Sequence, residues 1–144
     1  MATTIQPTTL TYSVTETITL NGVAYDSIQS QTIASIGNYV NNVFNVQAGS
    51  QQILTFSRTG VAPAGTEYNL DKLKYIRLTN SDGALSVTLT IQFVTTKGQL
   101  INLAPGGTFI LSEFIVANSS DTLTSITVTS SGVVDIPYVV ALEV

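Results

Sequence analysis

The chain is 144 residues long, enough for one domain with a substantial apolar core. It has no cysteine, which excludes disulfides and thiolate metal sites, and no histidine, which removes the commonest acid–base group and transition-metal ligand near neutral pH. Nine carboxylates against five basic groups leave a net charge of −4, the wrong sign for a nucleic-acid binder.

The polar positions are filled chiefly by Thr, Ser, Asn and Gln; Thr alone occurs 22 times and favours strands. A chain so poor in charge has little electrostatic repulsion to keep it monomeric, which points to a partner-covered or oligomeric protein. Met1-Ala2-Thr3-Thr4 shows neither the basic nor the apolar region of a secretory signal, and no stretch has the length expected of a membrane-spanning helix.

The dominant period is two. Leu10, Tyr12, Val14, Ile18 and Leu20 alternate with Thr11, Ser13, Thr15, Thr17 and Thr19, with Glu16 the single break in the apolar set. This predicts a strand with one buried face and one hydroxyl face. Asn21-Gly22 follows, the strongest short hairpin signal, because both central residues of a type I′ turn need positive φ. The return strand runs from Val23 to about Ile33. From Ile36 to Val46, Tyr39, Val43 and Val46 fit a helical stripe, while Val40, Phe44 and Val46 fit a strand. The asparagines at 38, 41, 42 and 45 disfavour a long helix, so the segment is expected to be extended.

Ala48-Gly49-Ser50 reads as a turn and Gln52 to Ser57 as a strand. Residues 59 to 71, with Gly60, Pro63 and Gly65, are the longest irregular stretch. Leu73 to Thr79 is a strand, with Leu73, Tyr75 and Arg77 expected on one face. Asn80-Ser81-Asp82-Gly83 is a tight turn, expected to close a hairpin with the strand Leu85 to Val94. In that strand every odd residue from Leu85 to Phe93 is apolar. Lys97-Gly98 leads into Gln99 to Leu103, and Pro105-Gly106-Gly107 separates it from Thr108 to Phe114. Asn118 to Asp121 is a further turn. Ser125 to Thr129 is a strand, and Ser130-Ser131-Gly132 turns into Val133 to Val144, where Pro137 suggests an edge, a bulge or a break.

About ten short strands, no clear helix and turn signals every eight to twelve residues or so define an all-β antiparallel sandwich or jelly roll. A soft boundary divides residues 1–44, an N-terminal hairpin and arm positioned to pack on a neighbour, from residues 45–144, an eight-stranded sandwich core.

Chemistry-bearing patterns are sparse. Among the carboxylates, Asp82 and Asp121 sit in turn signatures where aspartate caps the backbone, and Glu16 leans to solvent. Asn80, Ser81 and Asp82 are rich in oxygen but lack EF-hand spacing. There is no G-x-S-x-G, no histidine to complete a triad, and no lysine or helix after Pro105-Gly106-Gly107 to make a phosphate cradle. Asn118-Ser119-Ser120 matches a glycosylation sequon at chance frequency and, without a secretory signal, is discounted. Tyrosines 12, 25, 39, 68, 75 and 138 offer either a sugar-stacking platform or core and interface packing, the latter favoured for Tyr12, Tyr75 and Tyr138. The basic set Lys72, Lys74 and Arg77 is the one candidate contact site. Lys72 and Lys74 are expected on one strand face, either pairing with an acidic neighbour subunit or blunting an edge. No enzyme activity, cofactor or metal is expected.

Three segments carry a family resemblance. Tyr75-Ile76-Arg77-Leu78-Thr79-Asn80-Ser81-Asp82-Gly83, the alternating strand to Val94, and Leu103-Ala104-Pro105-Gly106-Gly107-Thr108-Phe109-Ile110-Leu111 resemble small structural proteins of tailed bacteriophages. In these a strand ending L-T-N-x-D is followed by L-x-P-G-x-x-F-x-L. The resemblance spans residues 73 to 114 and implies a sandwich or jelly roll located in the virion, assembled in the host cytoplasm. It implies most specifically a capsid decoration, or cement, protein that clamps neighbouring capsomers, often as a homotrimer. The partners implied are the major capsid protein or other virion proteins, with neither nucleic acid nor membrane. A tail, neck or fibre-attachment part, and a carbohydrate-binding module on a host-facing fibre, are the alternative expectations.

Overall fold

The computed structural model describes residues 6–58, 67–94, 98–112 and 122–144. The expected turn at 118–121 with its sequon, Lys97, the end of the strand expected to reach Phe114 and most of the irregular stretch 59–71 lie outside the described residues.

The fold is an all-β sandwich, with ten strands among the described residues: β1 (Thr8–Leu20), β2 (Val23–Val46), β3 (Gly49–Ser57), β4 (Glu67–Asn69), β5 (Leu73–Thr79), β6 (Val87–Phe93), β7 (Gly98–Leu103), β8 (Thr108–Ser112), β9 (Leu123–Ser130) and β10 (Val134–Glu143). A single 3₁₀ turn, Leu70–Lys72, links β4 to β5. One sheet, A, has the order β1-β2-β10-β5-β8, and the other, B, the order β4-β3-β9-β6-β7. All pairings are antiparallel except β3 with the three-residue β4.

The period-two patterns build the core between the sheets. Val87, Leu89 and Ile91 of β6 are buried, and meet Ile126 and Val128 of β9 within sheet B and Ile76, Leu78, Val140 and Ile136 from sheet A. Burying side chains of this kind stabilises the fold by about 1.5–3 kcal/mol each before the entropy of ordering is charged against it. Phe109 and Leu111 pack against the same core, as their spacing requires.

Four sequence expectations change. Asn80 to Gly83 does not close a hairpin: β5 lies in sheet A and β6 in sheet B, so the turn carries the chain from one sheet to the other. Both strands have a core-facing apolar set, and pairing them side by side would leave one sheet without its cover. Leu73 does not share a face with Tyr75 and Arg77. The register of β5 against β10 slips between Leu73 and Tyr75, leaving Lys74 as the extra residue. Leu73 thus joins the central core, and Tyr75 a second cluster on the outer side of sheet A. Pro137 sits in a central strand, between β2 and β5. Its ladder to β5 begins only at Tyr138, so on that flank no ladder bond is asked of its nitrogen. The fourth concerns β1, whose apolar face is uncovered over most of its length, as described below.

The segment 36–46 is extended, and it is fused with 23–33 into one 24-residue strand. β2 therefore runs without interruption through position 44. Its C-terminal part, from Ile36, pairs with β10, and its N-terminal part pairs with β1.

Candidate interaction surface

The hairpin β1–β2 is built as the sequence dictates. Asn21 has φ 52° and Gly22 φ 80°, the left-handed pair of a type I′ turn. From Leu20↔Val23 back to Leu10↔Ile33 the two strands stay in register. Ser35 then takes φ 61°, its carbonyl accepts from the Val144 N–H at 3.1 Å, and the pairing with β1 slips between Thr8 and Leu10. At this irregularity the ribbon turns over the outer face of its own sheet.

That face is ordered in rows by the strand registers. Tyr39, Ala141, Tyr75 and Ser112 lie side by side across β2, β10, β5 and β8, and so do Asn41, Val139, Arg77 and Ile110. The ribbon lands on these rows. Leu10, Tyr12, Ile33 and Ile36 enclose Tyr75, Val139, Ala141 and Ile110 in the second cluster. The Tyr12 and Tyr75 rings are 5.0 Å apart, and the Tyr12 hydroxyl reaches Ser112 at 2.6 Å and Gln31 at 2.9 Å.

Beyond Tyr12 the same ribbon face continues without cover. Cross-strand register puts Val14, Ile18 and Leu20 on one side with Tyr25 and Val23. Their exposures are 40%, 53%, 53%, 56% and 54%. The face that buries Ile33 and half-buries Leu10 at the base is therefore open to solvent toward the tip. The sequence expectation of one buried face fails there because no element of the described chain extends far enough to meet it. The opposite face carries the hydroxyls, tied across the ribbon by Thr11–Thr32 at 3.3 Å and Ser13–Ser30 at 2.8 Å. A second uncovered apolar spot lies on the outer face of sheet A, where Tyr39 and Val43 are 51% and 54% exposed.

The basic set is dispersed. Lys72 is exposed in the 3₁₀ turn and not on a strand, so it shares no strand face with Lys74. Lys74 bonds Glu143 at 2.9 Å. Arg77 lies on the outer face, half-buried, with its Nε buried and without a hydrogen-bond partner. Arg58 faces Asp71 at 3.9 Å, an exposed pair of small energetic weight.

The tyrosines form no common platform. Tyr68, Tyr75 and Tyr138 are buried, and burial, reinforced by a hydrogen bond to Tyr138, pushes the Tyr68 phenol well above its ordinary value. Tyr25 and Tyr39 are exposed but lie on the ribbon and the sheet respectively.

A pocket of about 130 Å³ is lined by Asn45, Ser81, Asp82, Val133, Val134 and Asp135. Both its carboxylates are engaged. Asp82 accepts from the N–H groups of Leu85 at 2.6 Å and Ala84 at 2.7 Å, which hold its pKa below the usual carboxylate value, and Asp135 accepts from the Asn45 amide at 2.8 Å. Among the described residues no group of three or more Asp or Glu is placed to hold a metal ion, and no helix is long and apolar enough to cross a membrane.

The segments 75–83 and 103–111 meet in space. Asn80 is completely buried and donates through Nδ2 to the carbonyls of Leu85, Leu103 and Ala104 at 2.8, 3.2 and 3.2 Å. Its backbone N–H donates to Gly107 and its carbonyl accepts from Gly106, both at 2.9 Å. Pro105 and Gly106 (φ 75°) form the second turn, closed by the Gly107 N–H on Ala104 at 2.8 Å. The two turns, both carrying the chain between sheets, thus make one corner. A scan against protein-family models finds no match for this chain, and a search of curated proteins finds no relative.

Proposed function

We propose that this chain is a non-enzymatic virion structural protein of the capsid-decoration kind, a rigid block that binds the surface of an assembled shell and ties neighbouring subunits together. The single observation that carries the proposal is the β1–β2 ribbon, which overhangs the body with its apolar face uncovered. An exposed face of this kind, backed by a face of hydroxyls, is what an adhesive surface requires.

The mechanism is burial of area across subunit seams. Each site adds modest affinity, and attachment at several points on a many-copy shell multiplies it. The major capsid protein is the partner proposed, and the virion the location. We further read the sandwich as a jelly roll: β2-β10-β5-β8 opposite β3-β9-β6-β7 has the order of two interlocked Greek keys, with β1 and β4 added at the edges.

The test adds purified chain to shells that lack it. Co-sedimentation with the shell and a raised shell-melting temperature are expected. Absence of both overturns the proposal, and binding confined to tails assigns the protein to the tail.

A further inference from the structure

We propose that the overhanging ribbon docks on the outer face of sheet A of a second copy of this chain, with Glu16 of one copy opposite Arg77 of the next. This is a separate claim on the same ribbon face: it concerns contacts of the chain with itself in solution, before that face meets a shell.

Three observations select a second copy as the occupant. The first is continuity with an interface the molecule already makes. At its base the ribbon uses this face, through Leu10, Tyr12 and Ile33, to cover the outer rows of its own sheet A. Its tip continues the same apolar face, and the same sheet still has Tyr39 and Val43 uncovered. Each chain therefore carries both a donor and a receiving surface of matching chemistry.

The second is charge. No Lys or Arg precedes Arg58, so the charges of the ribbon are Glu16 and Asp26 alone. Glu16 lies on the apolar face, between Val14 and Ile18, opposite Ser27. Docking that face on a purely apolar surface would bury an unpaired carboxylate, which is strongly unfavourable. The receiving surface supplies the missing cation. Arg77 stands half-buried in the outer row beside Val139, and among the described residues no carboxylate pairs with it; its Nε is itself buried, so an incoming carboxylate would meet the outer end of the guanidinium. A guanidinium suits such a site because it binds a carboxylate through a fixed fork of donors.

The third is area. The uncovered ribbon, about seven residues long at about 3.4 Å each and about 10 Å wide, buries on the order of 500 Å² counting both partners. That is well short of the roughly 1,200–2,000 Å² of a stable pair. One ribbon contact does not hold two molecules together. In a closed ring every chain gives one ribbon and receives one, which raises the area of the contacts each chain makes to about 1,000 Å², approaching that range, and a donor surface that differs from its receiver generates rings when the rotation closes.

The experiment measures the mass of the full chain in solution by light scattering and sedimentation velocity, with circular dichroism and melting temperature as controls for folding. The wild type is expected to be a discrete oligomer. Glu16→Arg and Arg77→Glu are each expected to give monomer with an unchanged spectrum, and the double variant Glu16→Arg/Arg77→Glu to restore the oligomer. Ile18→Ser/Tyr25→Ser, which touches no core residue, is expected to give monomer as well. A monomeric wild type at its highest soluble concentration overturns the inference, even where the chain binds shells. So does an oligomer that survives Ile18→Ser/Tyr25→Ser, or a double charge exchange that fails to restore what the single ones abolish.

Discussion

The phenol oxygen of Tyr12 lies 2.6 Å from the hydroxyl of Ser112, a hundred residues further along the chain. Tyr12 belongs to the strand at one edge of sheet A and Ser112 to the strand at the other, with three strands between. The bond exists only because the ribbon crosses the outer face. The Tyr12 proton is directed to Gln31 Oε1 at 2.9 Å, so Ser112 is the donor of the second bond. Tyr12→Phe keeps the ring on Tyr75 and loses both hydrogen bonds. It is expected to lower stability by about 1–2 kcal/mol in urea denaturation. Amide exchange is expected to quicken at Gln31 and Thr32 and to stay unchanged at Leu89 and Ile126.

Asn80 is the polar centre of the corner where the two turns meet. Its Nδ2 serves three carbonyls, its Oδ1 accepts from the Asp82 N–H at 3.1 Å, and the residue is wholly buried. Asn80→Ala removes this donor from all three carbonyls, of which Ala104 keeps the Gly107 N–H. The expected loss is about 2–4 kcal/mol, measured by the urea midpoint. Asn80→Asp, which sets carboxylate oxygens against carbonyl oxygens, is expected to be at least as damaging at neutral pH. An Asn80→Ala variant as stable as the wild type would show that the corner is held by its backbone bonds alone.

What the sequence made legible was local. The alternation of Leu85 to Phe93 identified β6, Asn21-Gly22 gave the hairpin tip, and Pro105-Gly106 gave a turn of the right type. Each is a property of a few adjacent residues. Asn80 to Gly83 shows where that information stops: its turn signature marks a reversal, but not whether the next strand stays in the sheet or crosses. Pro137 misled for the same reason, since whether β5 extends beside it depends on a strand more than fifty residues earlier. The ribbon face was legible as amphipathic from Leu10 to Leu20. Where its cover ends is set by the width of sheet A, a tertiary quantity. Of the basic set, Arg77 lies half-buried on the outer face of sheet A. Lys74 is engaged by Glu143, and Lys72 is displaced by the turn at Leu70–Lys72 that sequence did not reveal.

Asp82 gives a pH dependence of definite sign. The Leu85 and Ala84 N–H groups lower its pKa in the folded chain, so its contribution is present above the ordinary carboxylate pKa, near about 4, and is lost as pH falls through the lowered folded value. Asp82→Asn still accepts both hydrogen bonds but carries no charge. Its urea midpoint is expected to lie below that of the wild type at neutral pH, the gap closing as the solution is acidified past the folded pKa. A gap that stays constant across this window would assign the effect to geometry and not to charge.

Gly37 is where the ribbon leaves the sheet. It is the unpaired extra residue of β2, between Asn38↔Leu142 and Ile36↔Glu143, and a Cβ there would lie 2.6 Å from Val144 Cγ2 and 2.9 Å from Val144 Cα. A rotamer change relieves the first contact but not the second, because backbone must move. Gly37→Ala is therefore expected to cost about 1–3 kcal/mol by strain. The displaced Val144 also donates to the Ser35 carbonyl, at the residue whose φ of 61° turns the ribbon. Faster exchange of the Val144 amide and a weakened Tyr12–Tyr75 contact should accompany the loss. Gly83→Ala is the matched control, since a Cβ at Gly83 meets nothing within 4 Å, and its effect is expected to stay within about 0.5 kcal/mol. Equal effects at the two glycines would mean that helping to pack Val144 is not what holds the ribbon in place.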